Sequence, residues 1–175
     1  TLFPYTTLFR SLEATAPAGG HWPATVRPPV GWIAQRDGRV ALGAALPLGV
    51  LDAREAQFLA AIEAPLAITP WRAVLVFDLD EGTADAALRV LAPMGLVFDE
   101  TSPWLDVSAC TGSPGCAKSA ADVRADAAAA VNTAPDTAAP VHRHFVGCDR
   151  ACGSPPVGDG LIATPNGYRL RIASP

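Results

Sequence analysis

Four cysteines carry the most specific pattern in this chain. Cys110 and Cys116 form C-x5-C, thirty-one residues follow, and Cys148 and Cys152 form C-x3-C. Thiolates so spaced are metal ligands, and an iron-sulfur cluster takes four of them. The intervening Thr111-Gly112-Ser113-Pro114-Gly115 is built of small residues, and its glycines reach dihedrals closed to other residues, so it can wrap closely around an anionic cofactor. Gly147 and Gly153 bracket the second pair in the same way. Structural zinc favours C-x2-C knuckles and thiol redox chemistry uses C-x-x-C, and neither spacing is present. Spacing therefore favours a cluster over zinc. A zinc-stabilised interaction module, an electron-transfer ferredoxin and, for an exported chain, two disulfides are the alternatives. The two common ferredoxin spacings do not match.

Elements must bring the two pairs together. Trp104 to Ser108 reads as a strand running into Cys110, and Val141 to Val146 as one leading into Gly147-Cys148. An alanine-rich helix is expected over Ala117 to Val131. It would put Cys116 at a helix N-terminus, where the partial positive charge stabilises a thiolate. A Pro/Ala/Thr loop covers Asn132 to Pro140, and a final hairpin, Leu161 to Thr164 and Tyr168 to Ile172, turns at Asn166-Gly167.

Upstream, Trp32 to Gln35 and Arg39 to Leu42 are short β-type runs around the Asp37-Gly38 turn signal. Asp52 and Glu55 form a D-x-x-E capping box opening a helix through about Glu63, with Phe58, Leu59 and Ile62 as its apolar stripe. Leu66 to Thr69 and Ala73 to Leu79 (AVLVFDL) are strand-like, the second apolar enough for a central position. A helix over Thr83 to Leu91 stops at Pro93 and Gly95, and Leu96 to Phe98 would return to the sheet. The order β-β-α-β-β-α-β contains a split βαβ unit, so a ferredoxin-like sandwich with one added strand is expected.

Half the residues are apolar, enough to bury a sizeable core, and the net charge of -4 opposes nucleic acid as a partner. No apolar run approaches a membrane span and no secretory leader is found, so the four cysteines are expected in a reducing, cytoplasmic compartment. Thr1 to Ser11 (TLFPYTTLFRS) matches, residue for residue, the translation of a common sequencing-adapter oligonucleotide, and is read as an artefact. On that reading the frame is truncated upstream of Leu12. Residues 12–29 read as a linker, 30–100 as a ferredoxin-like half-domain and 101–175 as a cluster-bearing domain.

The cysteine pattern, with the wording VSACTGSPGCAKSAADVRADAAAAV and HFVGCDRACGSPP, resembles the precorrin-3B synthases of the sirohaem nitrite and sulfite reductase superfamily. The upstream GRVALGAALPLGVLDAREAQFLAAIEAPLAITPWRAVLV is similar to that family's ferredoxin-like half-domain. The likeness runs from about Val30 to the C-terminus and covers only the second of the two halves from which such proteins are built. It implies an α+β fold, a ferredoxin-like half-domain followed by a sirohaem-reductase-type α/β iron-sulfur domain. It also implies a 4Fe-4S cluster on Cys110, Cys116, Cys148 and Cys152, with a mononuclear non-haem iron in the full enzyme.

The family hydroxylates precorrin-3A with dioxygen and closes a lactone ring, in cobalamin biosynthesis. The implied partners are that tetrapyrrole, an electron donor and the missing N-terminal half; the isolated half is expected to be inactive. Because the substrate is rich in carboxylates, Arg72 in Thr69-Pro70-Trp71-Arg72 is the candidate substrate-binding residue, against a solvated arginine after a turn. Lys118 and Arg150 would tune the cluster by charge or are surface charges. His142 and His144, alternate residues on one strand, would help hold the second iron or simply face solvent, the expected case. The alternative enzyme reading is a sirohaem-dependent nitrite or sulfite reductase, with sirohaem as cofactor.

Overall fold

The computed structural model describes residues 27–133, 141–155 and 157–171, so the adapter-like start, most of the linker and most of the loop before Val141 lie outside it. The chain is α+β. It forms two four-stranded sheets and three α-helices among the described residues.

The first sheet holds β1 (Gly31–Ala34), β2 (Val40–Ala45), β3 (Leu66–Thr69) and β4 (Ala73–Leu79) in the order β1-β2-β4-β3, antiparallel throughout. β2 and β3 therefore run parallel with β4 between them, which is the split βαβ unit, joined by α1 (Ala53–Ala61). The D-x-x-E box opens α1: Asp52 accepts the Glu55 N–H at 2.7 Å, and the Glu55 carboxylate accepts the Asp52 N–H at 2.8 Å. That reciprocal bond explains why Glu55 is buried.

α2 (Glu81–Leu91) begins two residues earlier than expected, because Asp80 caps it through the Thr83 N–H. The returning strand expected over Leu96 to Phe98 shrinks to one bridge, Val97 with Ala45. The edge of β2 it would occupy is taken by β1, which pairs with β2 from Gly31 to Ala34. β2 and β4 bury Leu42, Ala44, Val74 and Val76 against Leu59, Ala84, Ala87 and Leu91 of the helices.

The second sheet runs β5 (Val107–Ala109), β6 (Arg143–Val146), β7 (Asp159–Thr164), β8 (Gly167–Leu170) in that order. The first two pairings are parallel and the last is a hairpin. Pro103–Asp106 is a short 3-10 turn, so the strand into Cys110 is shorter than expected. The final hairpin turns on Pro165 and Asn166, one residue before the expected site. Proline fixes φ there, and Gly167 at φ 115° absorbs the left-handed residue.

The helix expected from Ala117 begins instead at Val123, as α3 (Val123–Asn132), capped by Asp122 on the Ala125 N–H. Residues 117–121 cannot be helical because their backbone groups are committed elsewhere. Ala120 N–H donates to Gly147 O at 2.8 Å, and Ser113 N–H to Ala121 O at 3.0 Å. Val123, Ala127 and Val131, four residues apart, pack α3 onto Val107, Phe145 and Ala163. A third cluster, Ala45, Ala73 and Leu105, seats the 3-10 turn against the first sheet.

Burial orders the consequences of truncation. Leu91 is 1 % exposed among the core residues of the first sheet, whereas Ile68 on edge strand β3 is 73 % exposed. Leu91→Ala should lower the free energy of unfolding by about 2–5 kcal/mol, and Ile68→Ala by less than about 0.5 kcal/mol, in denaturant titrations.

Candidate metal centre

The parallel seam between β5 and β6 delivers both cysteine pairs to one end of the second sheet. Cys110 leaves β5 with its N–H donating to Phe145 O at 2.9 Å, so it is still in ladder register with β6. Just past the end of β6, the Gly147 N–H donates to Cys110 Sγ at 3.3 Å. The backbone that carries Cys148 thus already supplies a hydrogen bond to the sulfur of Cys110. N–H donors of this kind stabilise a thiolate and are among the terms that set a cluster's potential.

Gly147 also locks the two loops sterically. A side-chain carbon placed there would lie 1.8 Å from Ser119 Oγ and 2.6 Å from Ser119 Cβ. Only glycine lets the Cys148 turn approach the 116–120 loop this closely. Gly112 does comparable work in the first loop. Its φ is 69°, its missing Cβ would meet Val123 Cγ2 at 2.8 Å, and its carbonyl accepts the Cys116 N–H at 2.7 Å. Arg124, in the first turn of α3, donates from Nε to Cys110 O at 3.3 Å.

All four cysteines are free; Cys110, Cys116 and Cys148 are half-buried and Cys152 is exposed. The helix-terminus argument for Cys116 is corrected: α3 starts at Val123, and Cys116 sits in a turn whose carbonyl accepts the Ser119 N–H at 3.0 Å. Among the described residues, no three His, Cys, Asp or Glu side chains converge as ligands of a single metal ion. Free thiols, a glycine-lined loop and an N–H bonded to one sulfur are compatible with thiolate ligation of a metal group.

His142 and His144 do not face solvent. They are 6 % and 2 % exposed, and Ser108, fully buried on β5, lies between them. Its Oγ is 2.8 Å from His142 Nε2 and 2.7 Å from His144 Nδ1, and His144 Nε2 is 2.9 Å from Cys152 O. A carbonyl only accepts, so His144 Nε2 carries the proton. In the neutral ring Nδ1 then accepts from the Ser108 hydroxyl, and Ser108 accepts from His142 Nε2–H. His142 Nδ1 is buried without a hydrogen bond of good geometry, although the Leu105 backbone lies close enough to favour the charged ring. Burial, chiefly, lowers both pKa values below the ordinary histidine value, and the positive field of Arg72 adds to it. Burial thus disfavours the charged form of both rings. No expectation included Ser108, although a lone serine between Val107 and Ala109 on a buried strand was the available signal.

Arg72 is half-buried at φ 56° in the turn between β3 and β4, and burial lowers its pKa. Its carbonyl accepts the Leu46 N–H at 2.9 Å, and its stem lies against Gly49, where an added carbon would be 3.1 Å from Cγ and Cδ. It is not the solvated arginine of the alternative reading. The turn of the first sheet holds its charge near the histidines of the second. Lys118 and Arg150 are exposed, and among the described residues no helix is long and apolar enough to cross a membrane.

No family model matches the chain. A curated relative, the precorrin-3B synthase of a Sinorhizobium species, is 30% identical over 107 residues, which are 60% of this chain and 23% of that protein. Among solved structures, the NirA protein of Mycobacterium tuberculosis superposes with a TM-score of 0.67 at 19% identity, over 89% of this chain and 33% of its own. The chain thus spans about a quarter of the curated relative's length and a third of the structural neighbour's. The chain is thus similar in sequence to a precorrin-3B synthase and in fold to NirA.

The steric lock at Gly147 can be tested by paired substitution. Gly147→Ala should destabilise the chain by about 1–3 kcal/mol through overpacking against Ser119. Adding Ser119→Gly, which removes the two clashing atoms, should restore part of that loss in thermal unfolding. A double variant no more stable than Gly147→Ala would show that the two loops are not in contact.

Proposed function

We propose that this chain is the C-terminal part of a precorrin-3B synthase-like oxidoreductase, and that Cys110, Cys116, Cys148 and Cys152 hold its 4Fe-4S cluster. The observation that supports this reading is the Gly147 N–H bonded to Cys110 Sγ across the β5–β6 seam, which puts the turn that carries Cys148 against Cys110. The sequence likeness to a precorrin-3B synthase supports the choice of reaction. When bound, the cluster would supply electrons for an oxygen-dependent hydroxylation.

The chain's own residues hold and tune the site. Gly112 and Gly147 permit close wrapping, Arg124 braces Cys110, and Arg72 offers a partly desolvated guanidinium to a carboxylate. On this reading the Arg72 guanidinium, half-buried in the turn between β3 and β4, meets a carboxylate of the substrate although the chain as a whole is acidic. The partners on this reading are precorrin-3A, an electron donor and an N-terminal half, and the compartment is the cytoplasm. Residues 30–100 and 101–175 would be its two domains. Cys152 is exposed, so one side of the proposed site is open, as expected where a second half completes the cradle. Any mononuclear non-haem iron belongs to the whole enzyme. His142 and His144 are committed to Ser108 and Cys152 O, and do not offer a ready pair of ligands for it.

A second reading, a sirohaem-dependent nitrite or sulfite reductase fragment, is favoured by the fold match to NirA. One preparation separates these from a zinc module. Anaerobic reconstitution should load about four irons and as many sulfides per chain, and each Cys→Ala variant should lose most of that iron. Zinc uptake without iron would overturn the cluster. Binding of sirohaem with no binding of a precorrin, once the missing half is supplied, would select the second reading.

A further inference from the structure

We propose that His144 is a positioning residue for Cys152: its Nε2–H, oriented by the buried Ser108 hydroxyl, pins the backbone of the most exposed of the four cysteines. The inference rests on the cluster reading above, but its geometry belongs to this chain alone. The Cys148 to Ser154 loop is otherwise held by its own turns, Ala151 N–H to Cys148 O at 3.1 Å and Ser154 Oγ to Ala151 O at 2.8 Å. Its outward ties among the described residues are the surface contact of Asp149 with Arg169 and the bond from His144 Nε2 to Cys152 O at 2.9 Å. Only the second comes from the core. The ring also lies under the turn, with the position of a Gly153 side-chain carbon 3.7 Å from His144 Cε1.

Three buried groups fix the direction of that donor. Cys152 O can only accept, so the His144 proton stands on Nε2; Nδ1 of the neutral ring is then left to accept from Ser108, whose oxygen faces His142 Nε2. Remove the hydroxyl and the ring can take the other tautomer, which presents a lone pair to the carbonyl and repels it. Partners beyond the first ring of ligands commonly orient those ligands in this way. The alternative is a satisfied core histidine with no influence on the thiolate.

The test uses the whole chain with His144→Leu, His144→Gln and Ser108→Ala. Glutamine can keep an N–H near the Nε2 position, and leucine cannot. In the apo chain, amide hydrogen exchange over residues 151–154 should rise in His144→Leu while β7 stays protected. After reconstitution, chelator should strip iron from His144→Leu roughly tenfold faster or more than from wild type, with a shifted potential and altered EPR line shape. His144→Gln should recover most of that difference, and Ser108→Ala should move the same readouts in the same direction as leucine. If His144→Leu does not fold, Ser108→Ala and His144→Gln decide the matter on the same readouts. A wild-type cluster matched by the variants in release rate, potential and EPR would overturn the positioning role alone. A wild-type chain that takes up no iron would overturn the cluster reading itself, and unchanged loop exchange would then also refute the tie to Cys152.

Discussion

The rest of the site depends on the close parallel pairing of β5 with β6. Parallel strands end at the same edge of a sheet, so the two residues that leave this seam, Cys110 and Gly147, emerge side by side. The Gly147 N–H then finds Cys110 Sγ instead of another carbonyl, and its lack of a side chain admits Ser119 from the other loop. Everything between the cysteine pairs accommodates this meeting. Residues 117–121 stay out of the helix because their N–H and C=O groups bond to the neighbouring loop, and α3 starts only when Asp122 provides a cap.

The same seam explains why the histidines are buried. Ser108 on β5 stands opposite His144 on β6, and its hydroxyl has one proton to give and room to accept another. A buried polar cluster of this kind is tolerated only when its members satisfy one another. His142, which meets Ser108 through Nε2, stands at the end of this cluster away from Cys152. Arg72 reaches the same region from the first sheet, and the cluster of Ala45, Ala73 and Leu105 holds the two sheets in the relation that keeps it there. Beside the cysteines themselves, Arg124 brings a positive charge to Cys110 O in a chain whose net charge is -4.

Much of the fold was legible in the sequence. The Asp52–Glu55 box, the AVLVFDL strand and the split βαβ order are local signals, and local hydrogen bonds or apolar runs decide them. What failed depended on distant partners. The helix start was misplaced because alanine propensity favours Ala117, whereas the bond from Ala120 to Gly147 O comes from a residue far along the chain. The returning strand was lost to competition with β1 for the edge of β2. For the histidines, alternation correctly put both on one face, but nothing in the sequence told which face is covered. Spacing singled out the four cysteines, but it gave no sign that Ser108 bonds to His144 or that the Gly147 N–H meets Cys110 Sγ.

The central claim is that the two cysteine pairs form one site for one iron-sulfur cluster. Iron X-ray absorption on the reconstituted chain tests it most directly, because it reports what surrounds the metal whatever the activity. The account predicts a first shell of sulfur alone and a second shell containing neighbouring iron, both lost together when Cys110 and Cys148 are replaced by alanine. A first shell dominated by nitrogen or oxygen, or sulfur ligation with no iron neighbour, would contradict it.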